Sequence, residues 1–304
     1  MADITVIGGI NVDIEGAPDE QLIAADSNPG RVSISYGGVG RNIVENVARL
    51  GGDVAMISVI GDDPMGNNAK EYLTRIGVDV SGIHRVSGEN TGMYLSILNH
   101  SNDMELAICN MDILEYITPS LVDTRLDNLK QSKMVALDCN LSLESLTYLT
   151  EKLSDTPLFL DPVSVSKAKR VKSLIGKFHT IKPNRIEAEL LSGIELKDEE
   201  SLHEAGEWFI NAGVKRVFIS LGERGAYYKE GKEEGLVATN KPDFVSATGA
   251  GDAFSAAILL GHVKNLSARE TAKLGVACAT VAMEAKTAVN EKISLESVMS
   301  RISE

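Results

Sequence analysis

Short β-branched runs alternate with longer helical patterns along most of this chain, and that alternation decides the fold class. Apolar runs at 5–7, 54–59, 134–137, 158–160, 179–181 and 217–220 read as strands. Apolar residues at helical spacing over 65–76, 187–191, 201–212 and 268–285 read as helices between and after them. Strands alternating with helices predict an α/β fold in three layers, a mostly parallel central sheet covered on both faces. Right-handed crossovers then bring ligand-binding loops to the carboxyl ends of the strands. Two regions break the pattern. Segment 14–36 is polar and turn-rich, then alternates at Val32, Ile34 and Tyr36. Segment 91–109 reads as a hairpin that turns at 100–103. Both are expected to form a small β-sheet lid inserted into a single domain spanning 1–304.

The sharpest local motif is Ala247-Thr248-Gly249-Ala250-Gly251-Asp252-Ala253-Phe254. A glycine-rich loop runs into a helix marked by Phe254, Ala257, Ile258 and Gly261. Such a loop aims backbone N–H groups at an anion, and the helix dipole adds partial positive charge. A carboxylate beside a phosphate is repelled unless it has a task. Taking the proton of an attacking hydroxyl is that task, so Asp252 is a candidate general base. Gly249, Ala250 and Gly251 form the candidate anion hole. The bland alternative is a plain turn with an acid at the positive end of its helix.

Four further motifs follow strand-like runs. In Gly8-Gly9-Ile10-Asn11-Val12-Asp13, an extended chain sends Asn11 and Asp13 to one side, where they suit sugar hydroxyls or an Asx turn. Gly37-Gly38-Val39-Gly40-Arg41-Asn42 opens a helix; Gly38 lets the backbone close on a sugar ring, with Asn42 in the first turn. Asn46 and Arg49, further along, are expected at the surface. Asn184 and Glu187 share one face of a helix start, suiting either a hydrated Mg²⁺ or a capping pair. Lys182 just before them suits either a structural or a phosphate-facing role. Ser220, Gly222 and Gly225 sit in a strand-ending turn. The stretch 229–235 reads as a charged, solvated hairpin turn.

A net charge of −13 argues against a nucleic-acid groove and against an anionic membrane surface. Nucleotide phosphates would need local reception by N–H groups, Lys or Arg, and a divalent metal. The three cysteines are odd in number and widely spaced, as in a reduced cytoplasmic protein without a disulfide framework or zinc site. No basic leader and no membrane-length apolar run is present. Neither a Walker-type phosphate loop, nor a dinucleotide fingerprint after the first strand, nor a nucleophile-elbow serine occurs.

In order and rough spacing, these glycine and Asn-x-x-Glu motifs resemble the ribokinase-like (phosphofructokinase B-type) carbohydrate kinases over essentially the whole chain. Shorter strings, Ser27-Asn28-Pro29-Gly30, Arg41-Asn42-Ile43, Asn110-Met111-Asp112-Ile113 and Asp161-Pro162-Val163-Ser164, are similar to the pseudouridine kinase branch. The resemblance implies phosphoryl transfer from ATP, with Mg²⁺, to a ribose 5′-hydroxyl. It implies Asp252 as base and ribose held by Asn11, Asp13, Gly38 and Asn42. Asn184 and Glu187 would order the metal through water, and Asn184, Ser220, Gly222 and Gly225 would meet ATP. The matching Lys167 is expected near the base, and Ser27, Thr91 and Asp112 in the lid could meet base or ribose. Such lids often pair between subunits, so a homodimer is expected. Ribose, adenosine or a ketohexose remain alternative acceptors, and an inactive binding protein of the same fold a further one. Many members carry an acid six residues before the base, beside a monovalent cation. Here that residue is Ser246, an expectation against strong potassium activation.

Overall fold

The structure, a computed structural model, describes residues 2–239 and 244–302. Its strands are β1 Ile4–Ile7, β2 Asn11–Pro18, β3 Gly30–Gly37, β4 Val54–Gly61, β5 Asp79–Val86, β6 Gly92–Leu98, β7 Met104–Asn110, β8 Met134–Asp138, β9 Leu158–Asp161, β10 Thr180–Ile181, β11 Arg216–Ser220, β12 Ala226–Glu230 and β13 Glu233–Val237. Nine of them form one sheet in the order β13-β12-β11-β10-β9-β8-β1-β4-β5. From β11 to β5 every neighbouring pair is parallel, and β12 and β13 add an antiparallel edge.

Alternate residues of the central strands feed two separate cores. Ile4, Val6, Met134, Ala136, Phe159 and Phe218 join the helices Val39–Arg49, Ala250–Val263 and Ala268–Ala282 on one face. Ile7, Val135, Leu137, Leu158, Leu160, Val217 and Ile219 join the helices Leu143–Lys152, Arg185–Ser192 and Glu199–Ala212 on the other. Both faces are covered, which is why these strands read as continuous apolar runs. Each fully buried aliphatic side chain contributes about 1.5–3 kcal/mol.

The chain leaves β1 for β4 on one side and later returns to pair β8 on the other. The strand order therefore reverses at β1, and a crevice opens beyond the carboxyl ends of β1 and β8. A second, four-stranded sheet of order β3-β2-β6-β7 stands over that end. It begins at Asn11 and ends at Asn110, so it reaches further into the glycine motif than segments 14–36 and 91–109.

Four strands were not expected from the sequence: β2, in a stretch whose latter part read as polar and turn-rich, and β5, β12 and β13. β5 extends the main sheet, and β12 with β13 makes the hairpin that read as a solvated turn. Lys229 in that hairpin is 1% exposed and paired with Glu207 at 2.7 Å and Glu234 at 3.4 Å. Asn46 is also buried, and Arg49 is tied to Glu45 at 2.8 Å, so neither is the free surface residue its polar face suggested.

Candidate active site

The helix Ala250–Val263 begins at Gly249, whose φ of 80° is left-handed, and no side chain caps it. Such a start leaves N–H groups without intrahelical partners. Ala250 N–H makes a long 3.3 Å bond to the Ala247 carbonyl, so Gly251 and Asp252 present the less engaged donors. Lys182 lies beside this loop: a methyl placed on Gly251 would sit 3.4 Å from its Nζ.

Asp252 is half-buried, and Asn42 Nδ2 donates to its Oδ2 at 2.7 Å. Burial pushes its carboxyl up to about 7. The charges of Asp161 and Asp138 add to the rise, while the Asn42 bond and the Lys182 charge oppose it. A group poised near neutrality is suited to proton transfer.

Asp161 ends β9, Lys182 directly follows the neighbouring β10, and the two form a buried pair at 3.2 Å. Ser255, one turn into the helix after Asp252, donates to Asp161 Oδ2 at 2.8 Å. Burial alone would lower the Lys182 ammonium; the charges of Asp161, Glu187 and Asp252 outweigh it and raise it instead. This ammonium therefore stays charged beside the Gly249 to Asp252 loop, paired with Asp161.

Asp138, at the end of β8, ties the two N-terminal glycine motifs together. Its Oδ2 accepts from Gly9 N at 3.2 Å and Gly40 N at 3.1 Å, and its Oδ1 from Asn140 N at 2.7 Å. A side chain on Gly8 would start 2.2 Å from that carboxylate, so glycine is required by close approach. Gly38 adopts φ 102°, and a methyl there would lie 2.4 Å from the Gly9 carbonyl. Asn11 Nδ2 donates to Asp13 Oδ1 at 2.5 Å, and both side chains flank Gly37. Burial raises the Asp13 carboxyl, against the Asn11 bond and the Arg41 charge.

The second sheet brings Gly92 opposite Asn11, so Thr91 adjoins the same corner. Thr91 is buried, accepting from Gly61 N and donating its N–H to Asp63. Asp112 is exposed at the start of a short 3₁₀ turn next to Met111, whose sulfur lies near Gly92. Lys167 Nζ donates to Asn140 Oδ1, linking it through Asn140 to Asp138. Ser27 sits exposed in the loop from β2 to β3, where its N–H donates to Asp26; among the described residues it has no hydrogen bond to this cluster.

Asn184 and Glu187 form a capping box, each side chain bonded to the other's N–H at 2.9 Å. The capping half of the two sequence alternatives is therefore present. Asn184 also bridges to Ser220 between strand ends, and Gly222 and Gly225 follow with φ of 60° and 86°. Beside Gly225 runs a groove lined by Leu236, Val237, Ala238, Val276, Ala277 and Thr280. Among the described residues no group of three or more His, Cys, Asp or Glu is disposed to hold a metal ion. No helix among them is long and apolar enough to cross a membrane. Cys139 and Cys278 are buried, whereas Cys109 is exposed on β7.

Sequence reasoning missed Asp138 and Asp161 as individual residues. The available signal was an acid at the carboxyl end of a parallel strand, where ligands bind in open α/β sheets.

Comparison with known proteins matches residues 1–293 to the pfkB family carbohydrate kinases. The chain is 35% identical to pseudouridine kinase of Escherichia coli over 98% of its own length and 96% of that protein. It is 31% identical to guanosine-inosine kinase of Exiguobacterium acetylicum, covering 91% and 92%. A crystal structure from Clostridium perfringens superposes with TM-score 0.92 at 32% identity, covering 99% and 96%. Ribokinase of Arabidopsis thaliana complexed with ribose and ATP superposes at 0.87 with 21% identity, covering 99% and 98%, a likeness of fold. The chain belongs to the pfkB carbohydrate kinase family and is a phosphotransferase acting on an alcohol group, a ribokinase-like sugar or nucleoside kinase.

Proposed function

We propose that this chain transfers the γ-phosphoryl group of ATP to the ribose 5′-hydroxyl of pseudouridine. The observation that carries the transfer chemistry is Asp252, held by Asn42 at an uncapped helix start with its carboxyl near neutrality. Asp252 takes the hydroxyl proton as the O5′–P bond forms and the bond to the leaving ADP oxygen breaks. The N–H groups of Gly249, Ala250, Gly251 and Asp252, with Lys182, face the charge on the transferred group. Asn11, Asp13, Gly38 and Asn42 hold the ribose. Asn184, Ser220, Gly222 and Gly225 receive ATP, with its base in the groove beside Gly225. The second sheet acts as a lid that excludes water as a competing acceptor.

Asn184 and Glu187 would hold Mg²⁺ through its waters, and the ion would supply charge neutralisation of the triphosphate. The donors present suit an ion that keeps its waters, because Glu187 Oε2 already accepts the Asn184 N–H while the other carboxylate oxygen remains. Glu187→Gln is expected to raise the Mg²⁺ concentration needed for half-maximal rate. A cap alone predicts a stability loss of about 1 kcal/mol and an unchanged metal dependence. A Mg²⁺ titration of kcat beside a melting curve separates the two. Strong potassium activation is no part of this reading: Ser246 Oγ accepts the Thr248 N–H at 3.1 Å, and no carboxylate stands at that position.

The acceptor assignment is supported by the likeness to the Escherichia coli pseudouridine kinase. Pseudouridine keeps a ring N–H that uridine lacks. A pocket built for that edge leaves polar groups unpaired with uridine, at about 1–3 kcal/mol each. Pseudouridine is therefore expected to exceed uridine in kcat/KM by about 10–100-fold. Ser27 and Thr91 in the lid, with Lys167, are the residues assigned to this distinction, and Asp112 to the base or ribose. Side-by-side rates with pseudouridine, uridine, adenosine, ribose and fructose test it. Equal kcat/KM for uridine, or faster turnover of free ribose, rejects pseudouridine and leaves a kinase.

The lid also supports a homodimer. Cross-strand register aligns Ile34, Ile14, Leu95 and Ile108 in one row and Val32, Gly16, Ile97 and Leu106 in the next. Val32, Ile34, Leu106 and Ile108 are exposed, so this face is an apolar surface facing away from Asp13. Ile34→Glu is expected to convert a dimer to a monomer in sedimentation equilibrium; a monomeric unmodified protein would refute the pairing.

A further inference from the structure

Arg41 meets the catalytic apparatus through Asn42. Asn42 Nδ2 donates to Asp252 Oδ2 at 2.7 Å, and Arg41 Nη1 donates to Asn42 Oδ1 at 2.7 Å. A primary amide has two orientations of nearly the same shape, and its neighbours decide between them. In one it donates to Asp252. In the other it turns a carbonyl oxygen toward the carboxylate, which disfavours the ionised form. A guanidinium carries donors and no acceptor. Arg41 Nη1 therefore takes the amide oxygen, and that contact leaves the NH₂ for Asp252.

Arg41 is itself held from several sides. It pairs with Glu45, donates to the Tyr36 carbonyl at 2.8 Å, and lies over the rings of Tyr36 and Tyr72 at 5.9 and 5.6 Å. Glu45 is fully buried and also takes Arg49 Nε at 2.8 Å and the Tyr72 hydroxyl at 2.6 Å. Burying such a group of charges is a poor source of stability, because desolvation offsets the attraction. Fixing one amide orientation next to the base is a use for it.

We propose that Arg41 is a positioning residue for phosphoryl transfer: through Asn42 it fixes the donor that faces Asp252, and so keeps Asp252 in its proton-accepting form. This rests on the reading of Asp252 as the base. The groups around Asp252 are Asn42 from the helix Val39–Arg49, Asp138 ending β8, Asp161 ending β9, and Lys182 after β10. Asp138 and Asp161 raise its proton affinity, and Lys182 and Asn42 lower it. Of the four, Asn42 is the one whose contribution reverses on a half-turn of a side chain.

The test is kcat/KM from pH 5.5 to 9, at saturating ATP, for whichever acceptor of the panel above is turned over fastest. Arg41→Lys keeps a charge against Glu45 but lacks the fork that serves Glu45 and Asn42 together. Its acid limb is expected to move up by about one pH unit, so that kcat/KM falls about ninefold at pH 6 and recovers to within about twofold at pH 9. KM for ATP is expected to stay within about twofold, since the relay touches the base and not the nucleotide turn. If that variant does not fold, Glu45→Gln, which loosens Arg41 without removing it, is expected to shift the limb the same way by a smaller amount. A limb that stays put, with activity lost equally at every pH or not at all, would reduce Arg41 to a structural residue and overturn the proposal. Asp252→Asn run in parallel separates the two readings: if it keeps its turnover, the base assignment fails first, whatever Arg41 does.

Discussion

Asp252→Asn is expected to lower kcat by about 10²–10⁴-fold, the loss typical of removing a general base. The substitution keeps the volume and still offers an oxygen to Asn42 Nδ2, so the 2.7 Å contact survives while the proton acceptor is gone. ATP affinity is expected to change little, and the melting temperature not to fall. The second point follows from the surroundings: Asp252 shares its neighbourhood with Asp161 and Asp138, whose charges oppose its ionisation. Removing one of three crowded carboxylates relieves repulsion. Turnover within about tenfold of the unmodified enzyme would exclude Asp252 as the base.

The same residue is expected to set the pH dependence. Its carboxyl is pushed up to about 7 in the free protein, and kcat/KM reports groups of the free enzyme. A base must be unprotonated to act, so kcat/KM is expected to fall as pH drops through about 7. Below that limb the decline is tenfold per pH unit for a single titrating base. An acid limb near the ordinary carboxylate range of about 4 would show that a group other than Asp252 in this setting controls the rate.

The central strands were legible because both faces are buried, leaving unbroken apolar runs such as 134–137 that need no alternation to be recognised. The Gly249 to Asp252 loop was legible because a left-handed start needs glycine and the helix behind it is strongly apolar. What stayed hidden depended on residues far apart in sequence. Lys229 looked solvated, yet Glu207 and Glu234 bury its ammonium inside the β12–β13 edge. Asn46 and Arg49 looked like an outer helix face; Arg49 is instead tied to the buried Glu45, which also takes Arg41 and Tyr72, and Asn46 Nδ2 donates to the Asn42 carbonyl. Asp138 carries no motif of its own, and its role arises from Gly9 and Gly40, 129 and 98 residues away. Asn184 and Glu187 show a different limit. One spacing satisfies a helix cap and a metal shell alike, and the cap in the structure leaves the second use to kinetics.

Gly249→Ala is expected to damage both stability and catalysis, and the two effects can be separated. Gly249 has φ 80°, and an added methyl would lie 1.7 Å from the Ala288 carbonyl oxygen and 2.5 Å from its carbon. These are backbone atoms in a loop that Asn290 anchors to the Val281 carbonyl at 2.7 Å, so they cannot simply swing aside. A left-handed non-glycine residue costs about 1–2 kcal/mol before any clash is counted. Gly222→Ala calibrates that term, because Gly222 has φ 60° and nothing within 4 Å of a methyl. Gly249→Ala should therefore lower the melting temperature clearly more than Gly222→Ala. The shifted helix start also misaligns the N–H groups of Gly251 and Asp252, and losing one such donor costs about 10²–10³-fold in kcat. Gly251→Ala supplies the complementary case. That position is helical, and its methyl would sit at an ordinary 3.4 Å from Lys182 Nζ, yet it would fill space on the anion side of the loop. It should lose activity with little change in melting temperature. If Gly249→Ala melts no lower than Gly222→Ala and keeps its kcat, the left-handed glycine does not shape the anion hole, and that half of the mechanism must be assigned elsewhere.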